Sequence, residues 1–183
     1  GEPLPTLASL DPTGSLVLRL CTFSKILAPG IRVGWAYGHP EIIKRLLQMR
    51  SEGNHNPFVT RIVSKFSENG RLDQHIAALN ERYSYKANLM YEAIKQYFPA
   101  DVKVNKPEGG FFIWCKLPSD ISATKLLAEC EANHGVTFLA GTRCYANGQG
   151  DHEVRLSFSF LSPEQITDGI AKICKAMEIV RGK

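Results

Sequence analysis

Apolar and polar positions along this 183-residue chain change their period several times, and each change marks a predicted element. Residues 16–22 are apolar on both faces apart from Arg19, the pattern of a strand covered from both sides. Beyond the turn residues Ala28-Pro29-Gly30, the run Val33-Gly34-Trp35-Ala36-Tyr37 reads as a second strand. Pro40 has the fixed φ suited to the first position of a helix, here predicted to run to about Arg50. A loop containing Gly53-Asn54-His55-Asn56-Pro57 follows, then a helix to about Asn69-Gly70, where the glycine makes a stop. Leu72, Ile76, Leu79, Tyr83, Ala87, Met90, Ile94 and Tyr97 recur at three- and four-residue spacing, which predicts one long amphipathic helix leading to a smaller domain.

In the remainder, residues 102–104 and 110–117 read as strands, and residues 123–133 as a helix capped by Ser122. Residues 136–139 and 153–160 suggest further strands. Ser162-Pro163-Glu164-Gln165 supplies an N-cap, a proline at the first position and an early acid for a last helix. Its core stripe is Ile166, Ile170, Ile173 and Met177. The chain therefore divides into residues 1–70, a connecting helix over 71–99, and an α+β domain over 100–183, with no internal repeat and no low-complexity segment.

At 44% hydrophobic and 22% charged residues the chain has an ordinary globular composition, able to bury a core. The net charge of +4 is mild and the basic residues are scattered, so nucleic-acid binding is not expected. No apolar run approaches the roughly 18 residues that span a bilayer, and Gly1-Glu2-Pro3-Leu4-Pro5 does not read as a charged-then-apolar leader. The five cysteines are odd in number and widely spaced, with no Cys-x-x-Cys pair, so reduced thiols and a cytoplasmic location are expected, with no metal. Cys21 and Cys115, inside apolar runs, are predicted core residues. The five histidines show no ligand spacing and receive no catalytic role.

The stretch with the most chemistry is Thr22-Phe23-Ser24-Lys25, followed by Ala28-Pro29-Gly30 and Arg32. A lysine in a partly dry, cationic pocket is a nucleophile for carbonyls, so Lys25 is a candidate covalent anchor for an aldehyde cofactor. Arg32, seven positions on and beyond a turn, offers a planar fork for phosphate oxygens, and Thr22 and Ser24 offer hydroxyls to the same anion. On spacing alone these residues read equally as a solvated turn and a surface arginine. Arg155 alone reads as an arginine salt-bridged on a sheet edge.

The whole stretch from Thr22 through Trp35 resembles the lysine segment of the fold type I, pyridoxal-phosphate-dependent class I/II aminotransferases. Within that superfamily it is most similar to the branch of 2-aminoadipate, kynurenine and aromatic aminotransferases and the related transcription-factor domains. Two later segments extend the resemblance. Pro107-Glu108-Gly109-Gly110-Phe111-Phe112-Ile113-Trp114 resembles the family's Gly-Gly-aromatic strand, and Val136-Thr137-Phe138-Leu139-Ala140-Gly141, leading through Gly148 to Val154-Arg155-Leu156-Ser157-Phe158-Ser159, resembles its carboxylate-binding segment.

The resemblance implies an α/β fold: the last strands and helices of the large cofactor domain over residues 1–70, the connecting helix, and the small α+β domain. It implies pyridoxal 5'-phosphate as cofactor, with Lys25 as the Schiff-base and proton-carrying lysine. Thr22, Ser24 and Arg32 hold the phosphate, Arg155 forks onto the substrate's α-carboxylate, and Phe112 lines the substrate cavity. The implied reaction moves an amino group from an aromatic amino acid, 2-aminoadipate or a similar donor to a 2-oxo acid such as 2-oxoglutarate, in a homodimer. Phe112 and Tyr145 hint at aromatic or long aliphatic substrates, and residues 51–60 form the local loop available to reach across a dimer. Absent are the family's glycine/serine phosphate loop, ring-stacking aromatic and acid on the pyridine nitrogen. The chain is therefore expected to be a carboxy-terminal half, inactive alone, with apolar surface exposed over its first 60 or so residues and a small domain able to fold by itself. An effector-sensing domain of a transcription regulator and a non-catalytic folded fragment are the alternatives.

Overall fold

The computed structural model describes residues 5–51 and 56–182. The chain forms two compact units, Gly1–Leu79 and Asn80–Lys183.

In the first unit, a 3-10 turn at Leu7–Leu10 leads to strand β1, Arg19–Thr22, which pairs antiparallel with β2, Gly34–Tyr37. Leu20 lies opposite Ala36 and Thr22 opposite Gly34. A Cβ at Gly34 would sit 2.7 Å from the Cys21 carbonyl oxygen, so only glycine lets the strands approach this closely. Helix α1, Pro40–Gln48, starts at His39, whose Nδ1 accepts from the Glu41 N–H at 3.3 Å. Helix α2, Pro57–Ser67, is capped by the Asn56 side chain, which accepts from Phe58 and Val59. At the break after α2, Asn69 and Gly70 take left-handed φ values of 57° and 73°, and the chain re-enters a helix at once. Helix α3, Arg71–Tyr97, is the long amphipathic helix the spacing predicts.

The strand expected to be buried over residues 16–22 is not. Leu16 and Leu20 are 80% and 73% exposed, and Cys21, expected in the core, is half-buried. The cause is architectural: β1 and β2 form a two-stranded sheet, too narrow to bury either face without a covering layer. The expected loop over residues 51–60 is partly helical, because α2 begins at Pro57; residues 52–55 of that loop lie outside the described residues.

The second unit carries a four-stranded antiparallel sheet. Its strands are β3 at Lys103–Val104, β4 at Phe112–Lys116, β5 at Leu139–Ala140 and β6 at Glu153–Ser157, in the order β3-β4-β6-β5. Side chains alternate strictly along β4, with Ile113 and Cys115 buried and Phe112, Trp114 and Lys116 on the open face. The same alternation in β6 buries Val154 and Leu156 and turns Arg155 and Ser157 the other way. Helix α4, Ala123–Glu129, begins at Ser122, whose hydroxyl accepts from Lys125 N–H at 3.2 Å. It widens into a π-helical turn at Cys130–His134, closed by Gly135 at φ 64°. The final helix α5, Pro163–Val180, opens with a full capping box between Ser162 and Gln165.

The core of this unit gathers Ile113, Cys115, Val154 and Leu156 from the sheet, Leu126 and Cys130 from the α4 region, Ile166, Ile170, Ile173 and Met177 from α5, and Met90 and Ile94 from α3. Arg181 ties its periphery, reaching Asp101 at 2.6 Å and Asp120 at 3.0 Å. The strand predicted over residues 136–139 forms only at Leu139–Ala140, which leaves Thr137 and Phe138 outside the ladder, with the Thr137 hydroxyl donating to Glu131 at 2.7 Å.

Candidate functional site

Each unit presents one cluster of chemically useful side chains. In the first, the end of β1 and the start of β2 are bridged by backbone: Phe23 N–H donates to Val33 at 3.0 Å, and the Phe23 carbonyl accepts from Ile26, Leu27 and Ala28 in a tight turn. That turn displays Lys25 to solvent. The Phe23 ring lies 4.8 Å from that of Trp35 and braces the turn on β2. Thr22 Oγ1 accepts from Ser24 N–H at 3.1 Å and donates to Ser24 Oγ at 3.0 Å, a local motif that brings the two hydroxyls together.

Arg32 completes this cluster. It ends the 3-10 turn Pro29–Ile31 in the left-handed conformation, φ 55°, uncommon outside glycine. Its Nη1 donates to Pro29 O at 3.3 Å and approaches Ser24 Oγ at 3.5 Å. Both contacts are long and neither is to a carboxylate, so most of the guanidinium's donors stay available to an anion. Thr22, Ser24 and Arg32 are therefore brought together, as the sequence reading expects, while Lys25 follows directly on the same turn. The partly dry surroundings expected for Lys25 are not supplied by the described residues, since its side chain is exposed.

The second cluster lies on the open face of the four-stranded sheet. Arg155 is on β6, an inner strand, and has no hydrogen-bond or ion-pair partner among the described residues, so the reading of a salt-bridged edge arginine is set aside. Its Cζ sits 4.1 Å from the centroid of the Phe112 ring. The two residues line a cavity of about 280 Å³ together with Thr137, Phe138, Leu139, Ser157, Phe160 and Leu161. The Thr137 hydroxyl is taken by Glu131 at 2.7 Å and the Ser157 hydroxyl lies 3.2 Å from that of Ser159, so the Arg155 cation in a mostly apolar wall is the group that suits a carboxylate borne on an apolar body.

Sequence reading missed most of this lining. Ser157 was open to discovery, being two positions from Arg155 on the same strand face. The strand predicted over residues 153–160 ends at Ser157, so Phe160 and Leu161 reach the cavity from beyond it, where strand alternation no longer applies. Tyr145, which hinted at substrate preference, stands outside the cavity: its ring is 6.4 Å from Trp114, and a hydrogen bond to Glu153 raises the pKa of its hydroxyl.

Among the described residues no group of His, Cys, Asp and Glu is arranged to hold a metal ion, and no helix is long and apolar enough to cross a membrane. All five cysteines are free. Burial pushes the Cys115 thiol up to about 12, and burial with Glu129 and Glu131 nearby pushes Cys130 to about 11, so neither is a ready nucleophile.

Comparison with known proteins bears on both clusters. Residues 2–173 match the family model described as aminotransferase class I and II. An aromatic-amino-acid aminotransferase of Thermococcus litoralis is 36% identical over 180 residues, which are 97% of this chain and 43% of that protein. An uncharacterised HTH-type transcriptional regulator of Bacillus subtilis is 29% identical over 93% of this chain and 35% of its own length. Among solved structures, a kynurenine aminotransferase of Pyrococcus horikoshii superposes with a TM-score of 0.90 at 33% identity, covering 98% of this chain and 44% of that one. The chain thus spans less than half the length of the relatives it matches and has the fold of their carboxy-terminal half. With a family model covering nearly every residue and its fold shared with solved members, the chain belongs to the class I and II aminotransferases.

Proposed function

We propose that this chain supplies the lysine, phosphate-binding and carboxylate-binding residues of a pyridoxal 5'-phosphate-dependent aminotransferase. The observation that carries the reading is the Thr22, Ser24 and Arg32 cluster, in which two hydroxyls and an underused guanidinium meet beside Lys25. The donor set fits a phosphate dianion: it offers several N–H and O–H groups, and Arg32 contacts a hydroxyl and a backbone carbonyl rather than a competing carboxylate.

In this reading Thr22, Ser24 and Arg32 would hold the cofactor's phosphate, and Lys25 would supply the amine that anchors its aldehyde. When bound, pyridoxal phosphate supplies the electron-withdrawing ring that takes up charge as a bond to the substrate's α-carbon breaks. Lys25 would take the α-proton as a base and return a proton as an acid. Arg155 holds the α-carboxylate through two parallel N–H···O bonds, which fixes the orientation of the bond to be broken. Phe112 walls the cavity beside it. The donor is an aromatic amino acid, 2-aminoadipate or a similar one, a reading supported by the aromatic lining and by the likeness to the Thermococcus litoralis aromatic-amino-acid aminotransferase, and the acceptor is a 2-oxo acid such as 2-oxoglutarate. The complete protein works as a homodimer, and the present segment is inactive alone.

The test uses the chain itself. After incubation with pyridoxal phosphate and borohydride reduction, peptide mass spectrometry should find the phosphopyridoxyl group on Lys25, with inorganic phosphate competing. Lys25→Ala should abolish the label, and Arg32→Met should weaken uptake roughly tenfold, the loss of one charge-assisted contact of about 1.5 kcal/mol. Labelling spread evenly over surface lysines would refute the reading. A second reading, an effector-sensing domain of a transcription regulator, is favoured by the match to the Bacillus subtilis regulator. It predicts cofactor capture without amino-group transfer in the full-length protein.

A further inference from the structure

We propose that Phe112 is a positioning residue for Arg155: the face of its ring holds the guanidinium so that the N–H edge stays free for a carboxylate. This rests on the reading that Arg155 binds a carboxylate and goes beyond it by assigning what aims the arginine.

An arginine that must grip an anion needs to be held without being used up. A carboxylate neighbour would hold it but would occupy its N–H donors and cancel its charge. An aromatic face does neither, because the ring's negative quadrupole attracts the guanidinium through its face and leaves the in-plane donors free. Arg155 is in that situation. Its Cζ lies 4.1 Å from the Phe112 centroid, and among the described residues it has no ion-pair or hydrogen-bond partner.

Strand register brings the two residues together. Phe112 pairs with Ser157 and Trp114 with Arg155 across β4 and β6, so Phe112 and Arg155 are diagonal neighbours on one sheet face. The ring itself is fixed from behind. Phe111 meets Phe112 edge-on at 6.4 Å, and Tyr83 of α3 meets Phe111 edge-on at 5.1 Å. Phe158 N–H donates to the Phe111 carbonyl at 3.3 Å, which locks the two strand ends together. A platform so braced keeps the arginine in place before any ligand arrives, which lowers the ordering cost of binding.

The experiment replaces Phe112 with mono-, di- and trifluorinated phenylalanine, which drains the ring face of charge while keeping its shape. Two readouts are taken on the whole chain: the dissociation constant for hydrocinnamate by calorimetry, and the Arg155 Nε–H resonance of the ligand-free chain. Affinity should fall stepwise with fluorine content, about two- to five-fold over the series, the equivalent of a cation–π contact at a partly exposed site. The resonance should move in step, and Phe112→Leu should remove its ring-current shift. Affinity and resonance that ignore fluorination would overturn the proposal. Arg155→Met separates the underlying reading: if hydrocinnamate binds that variant unchanged, the carboxylate role of Arg155 fails and so does Phe112's part in it. Loss of binding in Arg155→Met with a flat fluorine series sinks the positioning role alone.

Discussion

Asp11 shows how much a single exposed side chain can organise. Its carboxylate accepts from Leu16 N–H at 2.7 Å and Val17 N–H at 3.0 Å through one oxygen, and from the Thr13 N–H and hydroxyl through the other. The Leu16 contact is the main reason its pKa falls from 3.8 to about 2. A depressed folded pKa means the carboxylate stabilises the loop above the unfolded value and releases it as protons return. The amides of Leu16 and Val17 should therefore stay protected above pH 3.8 and lose protection progressively between pH 3.8 and about 2, measured by hydrogen exchange. Protection that ignores this range would refute the assignment. Legibility at this scale was uneven. Thr22, Ser24 and Arg32 sit close in sequence, so spacing and turn chemistry placed them together. The cavity around Arg155 draws on residues 112, 137–139, 155–157 and 160–161, which only the strand register assembles. No local pattern specifies that assembly.

Among the elements, helices were readable where a 3.6-residue period ran long enough to dominate. Helix α3 repeats its stripe over 27 residues, and α5 announces its start with Ser162, Pro163 and Gln165. The strands β3 and β5 are two residues each, too short for alternation to register, and the π-helical turn after α4 adds one residue to a last turn where no further period exposes it. The burial of residues 16–22 failed for a different reason: an apolar run states what a strand prefers, while the number of neighbouring strands decides what it gets. The capping box gives a test at this scale. Ser162 Oγ accepts from Gln165 N–H at 3.3 Å, and Gln165 Oε1 accepts from Ser162 N–H at 2.9 Å. Ser162→Ala should cost about 1 kcal/mol in urea unfolding, and Ser162→Asp should recover most of it. Equal midpoints for all three proteins would show the cap to be idle.

For the whole molecule, the two units differ sharply in how well they are packed. Among the described residues of Gly1–Leu79 only Val63 is buried, whereas Asn80–Lys183 encloses a continuous core that includes Phe158, Ile113, Ile121 and Leu126. Unfolding free energy should therefore respond unequally. Phe158→Ala should cost about 3–5 kcal/mol, and Leu20→Ala within about 0.5 kcal/mol of nothing, compared by chemical denaturation. Comparable losses at both positions would mean that Leu20 is covered in solution. Strand β4 carries the last consequence. Its odd-numbered members face inward and its even-numbered members outward, so the strand holds a parity as well as a composition. Deleting Phe112 would invert that parity, driving Trp114 and Lys116 into the spaces now filled by Ile113 and Cys115 while turning Ile113 toward water. Evolution can therefore lengthen or shorten this lineage's loops far more freely than it can change the count along five residues of one strand.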